Sequence, residues 1–131
     1  MPRSPKRPGA EARRFAEGAG RRAEALAAAY LRLKGYRVLG RRVKTPAGEL
    51  DIVARRGGVV VFVEVKTRGF SSGEAAALAA VNRRRLVRAA GLWLARHADA
   101  AAAELRFDVI FLAPFALPRH ITGAFDATGV L

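Results

Sequence analysis

Apolar positions along the chain fall into runs of different period, and each period predicts a kind of element. From Glu11 to Lys34 the pattern is helical, with Leu26, Tyr30 and Leu33 recurring at i, i+4 and i+7. Gly18 and Gly20 weaken its first part, so the firm helix is expected from Arg21, and Gly35 stands where a left-handed C-cap belongs. Strands follow. Tyr36 to Val43 reads as the first, with Tyr36, Val38 and Gly40 on one side, and Thr45-Pro46-Ala47-Gly48 is turn chemistry. Glu49 to Arg55 is the second, Arg56-Gly57-Gly58 a tight hairpin connection, and Val59 to Thr67 the third. That third strand is nearly all β-branched or aromatic apart from Glu64 and Lys66, as a central strand covered on both faces would be.

Beyond a loop at Arg68 to Gly73, Ser71 and Glu74 have the spacing of a capping box, so a second helix is expected to start there. It should run to about Ala98, broken around Asn82, with Leu78, Val81, Leu86, Ala89, Ala90, Trp93 and Leu94 as its buried stripe. Leu105 to Leu112 predicts a fourth strand, ended by Pro114, and His120 to Phe125 a short fifth. The order predicts an α/β fold in which helices flank a mixed sheet. Residues 1–10, with Pro2, Pro5 and Pro8 among basic neighbours, read as a flexible basic arm, and residues 11–131 as one domain.

Charge then narrows the function. Lys and Arg total 24 against 11 acids, a formal net charge of +13 on 131 residues. A field of that sign attracts polyanions, which makes nucleic acid, and DNA first, the expected partner. An Ala- and Arg-rich composition also explains the preference for Arg, since only Lys6, Lys34, Lys44 and Lys66 are lysines. It does not explain the shortage of acids. A membrane surface is a weaker candidate, because no basic helix carries a continuous face of large apolar residues, and no stretch approaches the ~20 apolar residues of a span. The absence of cysteine rules out disulfides and thiolate metal ligands and favours the cytoplasm. Met1 to Gly9 lacks the apolar segment of a secretory signal.

Candidate chemistry sits in the strands. Asp51, Glu64 and Lys66 are polar residues in otherwise apolar runs, and Glu64 and Lys66 share a face because side chains alternate. Counting back from the hairpin sets Asp51 roughly opposite Val63 to Glu64, which would gather two carboxylates and an ammonium at one end of a sheet. Carboxylates held that close repel, and a hard divalent cation such as Mg²⁺ relieves the repulsion. With a lysine beside them, those parts suffice for phosphodiester hydrolysis. Glu-x-Lys alone is a short pattern that chance supplies readily, and a Glu64–Lys66 pair on a solvated face is the bland reading.

Longer motifs carry a resemblance. Gly48-Glu49-Leu50-Asp51-Ile52-Val53-Ala54 and Val61-Phe62-Val63-Glu64-Val65-Lys66-Thr67-Arg68 resemble the signature of the YraN family. Gly20-Arg21-Arg22-Ala23-Glu24, Gly35-Tyr36 and Arg106-Phe107-Asp108-Val109-Ile110 extend the likeness over roughly Gly20 to Phe125. That family is similar to archaeal Holliday-junction resolvases and is grouped with the restriction-endonuclease-like, PD-(D/E)xK, nucleases. The resemblance implies a mixed sheet between helices and a site for Mg²⁺ or Mn²⁺ in which Asp51 and Glu64 are ligands and Lys66 is the catalytic lysine. Glu24 would be an additional acid from the first helix, against the alternative of a surface acid pairing with an arginine. One departure stands out: where relatives usually place a lysine at the start of the second helix, this chain has Asn82, followed by Arg83, Arg84 and Arg85.

Arg83, Arg84, Arg85 and Arg88 form a basic cluster at a helix start that reads as a phosphate-contacting surface, extended by Arg41, Arg42, Lys44 and Arg68. His97 and His120 have no second histidine at ligand spacing and read as structural or surface residues, and Trp93 as a packing residue. The whole reading is a metal-dependent nuclease acting on DNA. Against it stand a non-catalytic nucleic-acid binder of the same fold and a basic interaction partner in a repair or ribonucleoprotein assembly. Cleavage of branched DNA would favour a two-fold homodimer, because paired incisions need paired sites.

Overall fold

The computed structural model describes residues 10–67 and 82–125, with side chains from residue 20 onward. Helix α1 spans Ala10–Leu33, and strands β1 (Arg37–Thr45), β2 (Gly48–Arg56) and β3 (Val59–Lys66) follow it. Helix α2 (Arg83–Ala95), a 3₁₀ turn (Ala98–Ala100) and strands β4 (Glu104–Phe111) and β5 (Arg119–Phe125) complete the order. The five strands lie in sequence order in one sheet. Every neighbouring pair is antiparallel except β3 and β4, which run parallel. The fold is therefore α/β with a mixed sheet, as the pattern of elements predicts.

Alternation along the strands divides the core in two. Val61 and Val63 of β3, with Ile52, Ala54 and Ile110, pack against Ala27, Ala28 and Leu31 of α1. Val60 and Phe62, with Phe107, Val109 and Phe111, pack against Leu86, Val87, Ala89, Ala90 and Trp93 of α2. A helix thus covers each face, and β3 is buried from both sides. The stripe expected on α1 is corrected in part: Tyr30 packs partly buried against the core, and the stripe's other two members do not. Leu26 and Leu33 are 62% and 87% exposed, while Ala23, Ala27, Ala28 and Leu31 are buried. Small side chains let the helix approach the sheet closely, so its buried face is built on alanine around Leu31.

Local chemistry fixes the connections. Gly35, at φ +89°, ends α1 in a Schellman arrangement, with Tyr36 N–H donating to Leu31 O and Gly35 N–H to Arg32 O. Tyr36 is thereby buried beneath the helix and precedes β1, which extends to Thr45 and not only to Val43. Gly57, at φ +60°, makes the two-residue turn between Arg56 and Val59. Asn82 is the N-cap of α2, its side-chain oxygen accepting from Arg85 N–H at 3.1 Å. The helix ends at Ala95, short of the expected Ala98. The basic arm up to residue 9, Ser71, Glu74, Leu78 and Val81 lie outside the described residues. Among those described, no helix is long and apolar enough to cross a membrane.

One polar network ties β5 to the sheet. Asp108 is 1% exposed and accepts hydrogen bonds from Arg106 Nε and Nη2, His120 Nε2 and Gly123 N–H. Arg106 also donates to the Tyr36 hydroxyl. Lys34 Nζ lies 2.7 Å from His120 Nδ1. An ammonium can only donate, so Nδ1 accepts and the imidazole proton sits on Nε2, facing Asp108. His120 is structural, as its lone position in the sequence suggested. His97 stacks on Trp93 and bonds the Trp93 carbonyl, which accounts for it in the same way.

Candidate active site in the fork between two strands

The ladder between β2 and β3 runs from Arg56↔Val59 to Ile52↔Val63 and then stops. One step further, where Asp51 would face Glu64, the carboxylate of Asp51 accepts the Val65 N–H at 2.9 Å. A side chain thus takes a donor that the next rung would have used. Alternation along β2 slips at the same place: Leu50 joins the α2 cluster although Ile52, two residues on, packs toward α1. The strands part into a fork with Asp51 at its root.

Around that root the structure gathers Glu24 of α1, Glu49 and Asp51 of β2, and Glu64 and Lys66 of β3. Carboxylate oxygens of Glu24, Glu49 and Asp51 lie within 4.8 Å of one another. Lys66 Nζ is 3.5 Å from Glu64 Oε1, and Arg85 Nη2 is 3.9 Å from Glu64 Oε2. Arg42 Nε stands 3.7 Å from Glu24 Oε2 and 3.6 Å from Glu49 Oε1. None of these four separations is a close hydrogen bond. Accordingly Glu24 Oε2 and Glu64 Oε2 are buried with no hydrogen-bond partner. Buried acceptors without donors are uncommon, and each asks for an explanation.

Electrostatics follow from that crowding. Burial, then the neighbouring Asp51 carboxylate, push Glu64 up to about 7, against the opposing pull of Lys66 and Arg85. Burial followed by Asp51 raises Glu24 as well. Asp51 is itself raised, chiefly by burial, although the Val65 N–H works the other way. A carboxyl whose folded value lies above its unfolded one binds its proton more tightly when folded. Its stabilisation is complete below the unfolded value and is lost as pH rises through the folded one. For Glu64 that window runs from 4.5 to about 7. With divalent cations chelated, Glu64→Gln is therefore expected to stabilise the chain at pH 8 and not at pH 4.5. At 1.36 kcal/mol per pKa unit the gain is at most about 3 kcal/mol, part of it shared with Asp51. Urea melts in EDTA at the two pH values measure it; equal stability of variant and wild type at pH 8 would contradict the assignment.

The basic residues are placed unevenly. Arg85 is half-buried; its Nη1 donates to Glu49 O at 2.8 Å, so it is built into the fork and is not a free surface cation. Gly48 makes room for it: at φ +130°, a Cβ there would lie 2.9 Å from Arg85 Nη1. Arg42, expected with Arg41 on a phosphate-contacting surface, instead turns toward Glu24 and Glu49, whereas Arg41 is exposed. Arg83, Arg84 and Arg88 are exposed on α2, with Arg83 over the Phe125 ring at 5.5 Å, and Lys44 is exposed on β1. Arg68 lies outside the described residues. Glu24 stands near an arginine but is not a surface acid: it is 8% exposed and lies against the other carboxylates. Glu49 was missed by the sequence reading. Its i, i+2 relation to Asp51 on one strand was the available signal.

Residues 23–112 match the model of a family described as "Uncharacterised protein family UPF0102". The chain belongs to the UPF0102 family, the one its YraN-like motifs resemble. A UPF0102 protein of Rhodopseudomonas palustris (strain CGA009) is 54% identical over 106 residues, 81% of this chain and 82% of its own length. A UPF0102 protein of Bradyrhizobium diazoefficiens is 51% identical over 106 residues, 81% of this chain and 80% of its own. One from Methylorubrum extorquens is 48% identical over 128 residues, 98% of this chain and 99% of its own. The UPF0102 match begins at Ala23 and ends at Leu112, so it takes in every residue of the fork and leaves β5 outside.

Proposed function

We propose that this chain is a divalent-metal-dependent nuclease of restriction-endonuclease-like fold, acting on DNA. The observation that carries the reading is the pair of buried carboxylate oxygens, Glu24 Oε2 and Glu64 Oε2, that no donor satisfies beside Asp51. The donor set fits a hard cation: it is all oxygen, it is crowded enough to raise three carboxyl groups, and it contains no thiolate or imidazole. Asp51, Glu64 and Glu24 would hold Mg²⁺ or Mn²⁺. When bound, such an ion polarises a phosphoryl oxygen and lowers the pKa of water.

The chain's own residues supply the rest. Lys66, a fifth exposed, can orient the attacking water and pass its proton, or neutralise charge that develops on the phosphate. Arg85 offers a second positive group on the α2 side of Glu64. It lies three residues beyond Asn82, and Asn82 is committed to capping the helix. Exposed Arg41, Lys44, Arg83, Arg84 and Arg88 suit contacts to the phosphodiester backbone, with an affinity that falls as salt rises. A two-fold dimer is the arrangement that paired cuts in branched DNA would need.

Junction, flap, duplex and single-stranded DNA, each incubated with Mg²⁺, with Mn²⁺ and with EDTA, test the proposal. Cleavage that requires the metal supports it and identifies the substrate. Tight, salt-sensitive binding without cleavage on any substrate would make the chain a non-catalytic DNA binder, and weak binding even at low salt would point to a protein partner.

A further inference from the structure

Among the described residues Glu24, Glu49 and Asp51 form a trio whose carboxylate oxygens all lie within 4.8 Å of one another, and Glu64 is not in it. Glu49 therefore stands closer to the centre of the site than the sequence motifs suggest. Glu24 supplies the independent sign that this trio awaits a ligand: the residue is more than nine-tenths buried, and its Oε2 meets no hydrogen-bond donor. The nearest positive group, Arg42 Nε, is 3.7 Å from that oxygen and 3.6 Å from Glu49 Oε1. At such distances a guanidinium neutralises charge without forming close hydrogen bonds. Arg42 also holds a left-handed backbone at φ +51°, unusual for a residue with a side chain.

We propose, resting on the metal-dependent reading above, that Glu49 is a further ligand in a cation site made with Glu24 and Asp51, and that Arg42 is the resident counter-ion displaced when a hard divalent cation enters. Charge balance argues for the exchange. Of the cations that act on the trio, Arg42 is the one that lies within 4 Å of two of its carboxylates, while Arg41 acts on Glu24 and Arg85 and Lys66 on Asp51; a divalent ion brings twice the charge of a guanidinium at the ~2.1 Å contact distance of Mg²⁺ to oxygen. Arg42 is a third exposed, so its side chain has solvent to move into. Once displaced it rejoins Arg41 on the outer side of β1, where it adds a positive group for phosphate only after the site is loaded.

The two roles have opposite signs in one measurement, which separates them from simple support of the fold. Mn²⁺ binding by the full chain without DNA, followed by the loss of free-ion electron paramagnetic resonance signal at fixed pH and salt, reads both. Glu49→Gln is expected to weaken Mn²⁺ binding about tenfold or more, a typical loss for disturbing a metal site. Glu49→Asp, which keeps the charge on a shorter stem, should fall between it and wild type. Arg42→Gln should tighten binding several-fold, because it removes a competing cation. Circular dichroism melts confirm that each variant is folded. Wild-type binding that Glu49→Gln leaves within twofold, or that Arg42→Gln weakens, overturns this inference while the nuclease reading stands. Wild type that binds no Mn²⁺ removes both.

Discussion

Lys66→Ala is expected to lower metal-dependent DNA cleavage by about 10²–10⁴-fold, the range for loss of a positioned acid–base group, while DNA affinity changes little. Lys66 is one of 24 basic residues, so its removal barely alters the field that draws DNA in. Its position, 3.5 Å from Glu64 Oε1 at the end of β3, is what the other basic residues cannot reproduce. Lys66→Arg should not restore the rate. A guanidinium does not give up a proton in this pH range, and its planar fork would engage Glu64 in a different geometry. A second consequence has a definite sign. Lys66 pulls the Glu64 carboxyl down against burial and Asp51, so losing it pushes Glu64 further up. In the metal-free protein the Glu64 carboxyl of Lys66→Ala should therefore titrate at higher pH than in wild type. Single-turnover cleavage at saturating enzyme, with fluorescence anisotropy for affinity, separates the two effects. A variant that cleaves within tenfold of wild type would remove Lys66 from the chemistry.

Asp108→Ala is expected to destabilise the fold by about 3–5 kcal/mol, the loss typical of stripping one partner from a buried ion pair. The carboxylate is fully buried and takes four hydrogen bonds, from two Arg106 nitrogens, His120 and the Gly123 backbone. Without it Arg106 keeps only its bond to the Tyr36 hydroxyl, and the buried His120 Nε2 loses its acceptor. Burial alone would raise Asp108, but the bonds from His120, Arg106 and Gly123 outweigh it and hold the carboxyl below its ordinary value of 3.8. A depressed acid contributes stability that is present above the unfolded value and is lost as pH falls through the folded one. The deficit of Asp108→Ala should accordingly be constant from pH 5 to 8 and shrink only in stronger acid. Urea denaturation across that range measures it. A loss under 1 kcal/mol would mean the network is a bystander.

Particular residues show why some of this was legible and some was not. The hairpin glycines Gly57 and Gly58 let the register be counted, and the count sets Asp51 opposite Val63 to Glu64, in keeping with the ladder that ends at Ile52 and Val63. Strand period separated β3 from its neighbours because its apolar run is unbroken up to Glu64. On helix α1 the pattern picks out Tyr30, which packs against the core, but also Leu26 and Leu33, which are exposed, since it weighs leucine heavily and alanine hardly at all. Close approach to a sheet rewards the opposite. Arg42 was placed on the surface because charge pattern along a strand says nothing about which arginine turns inward at a left-handed backbone position. Asp108 lay inside the motif Arg106-Phe107-Asp108-Val109-Ile110, but two of its three partner residues, His120 and Gly123, come from β5, and a one-dimensional pattern does not contain them.

The parallel pairing of β3 with β4 has a consequence for how the chain is born. Glu24, Arg42, Glu49, Asp51, Glu64 and Lys66 all precede α2, on elements joined by short turns, so the ribosome delivers the acids of the fork before the strand that pairs with β3 on its other side. Until Glu104 to Phe111 emerges, β3 offers an unpaired edge, and Val60 and Phe62 wait for the helix that will cover them. Bare strand edges and apolar faces are what nascent chains aggregate through. The interval between synthesis of Lys66 and of Phe111 is therefore the period in which this protein most needs a chaperone, and a stalled or truncated product ending there should be lost to inclusion bodies while the full chain folds.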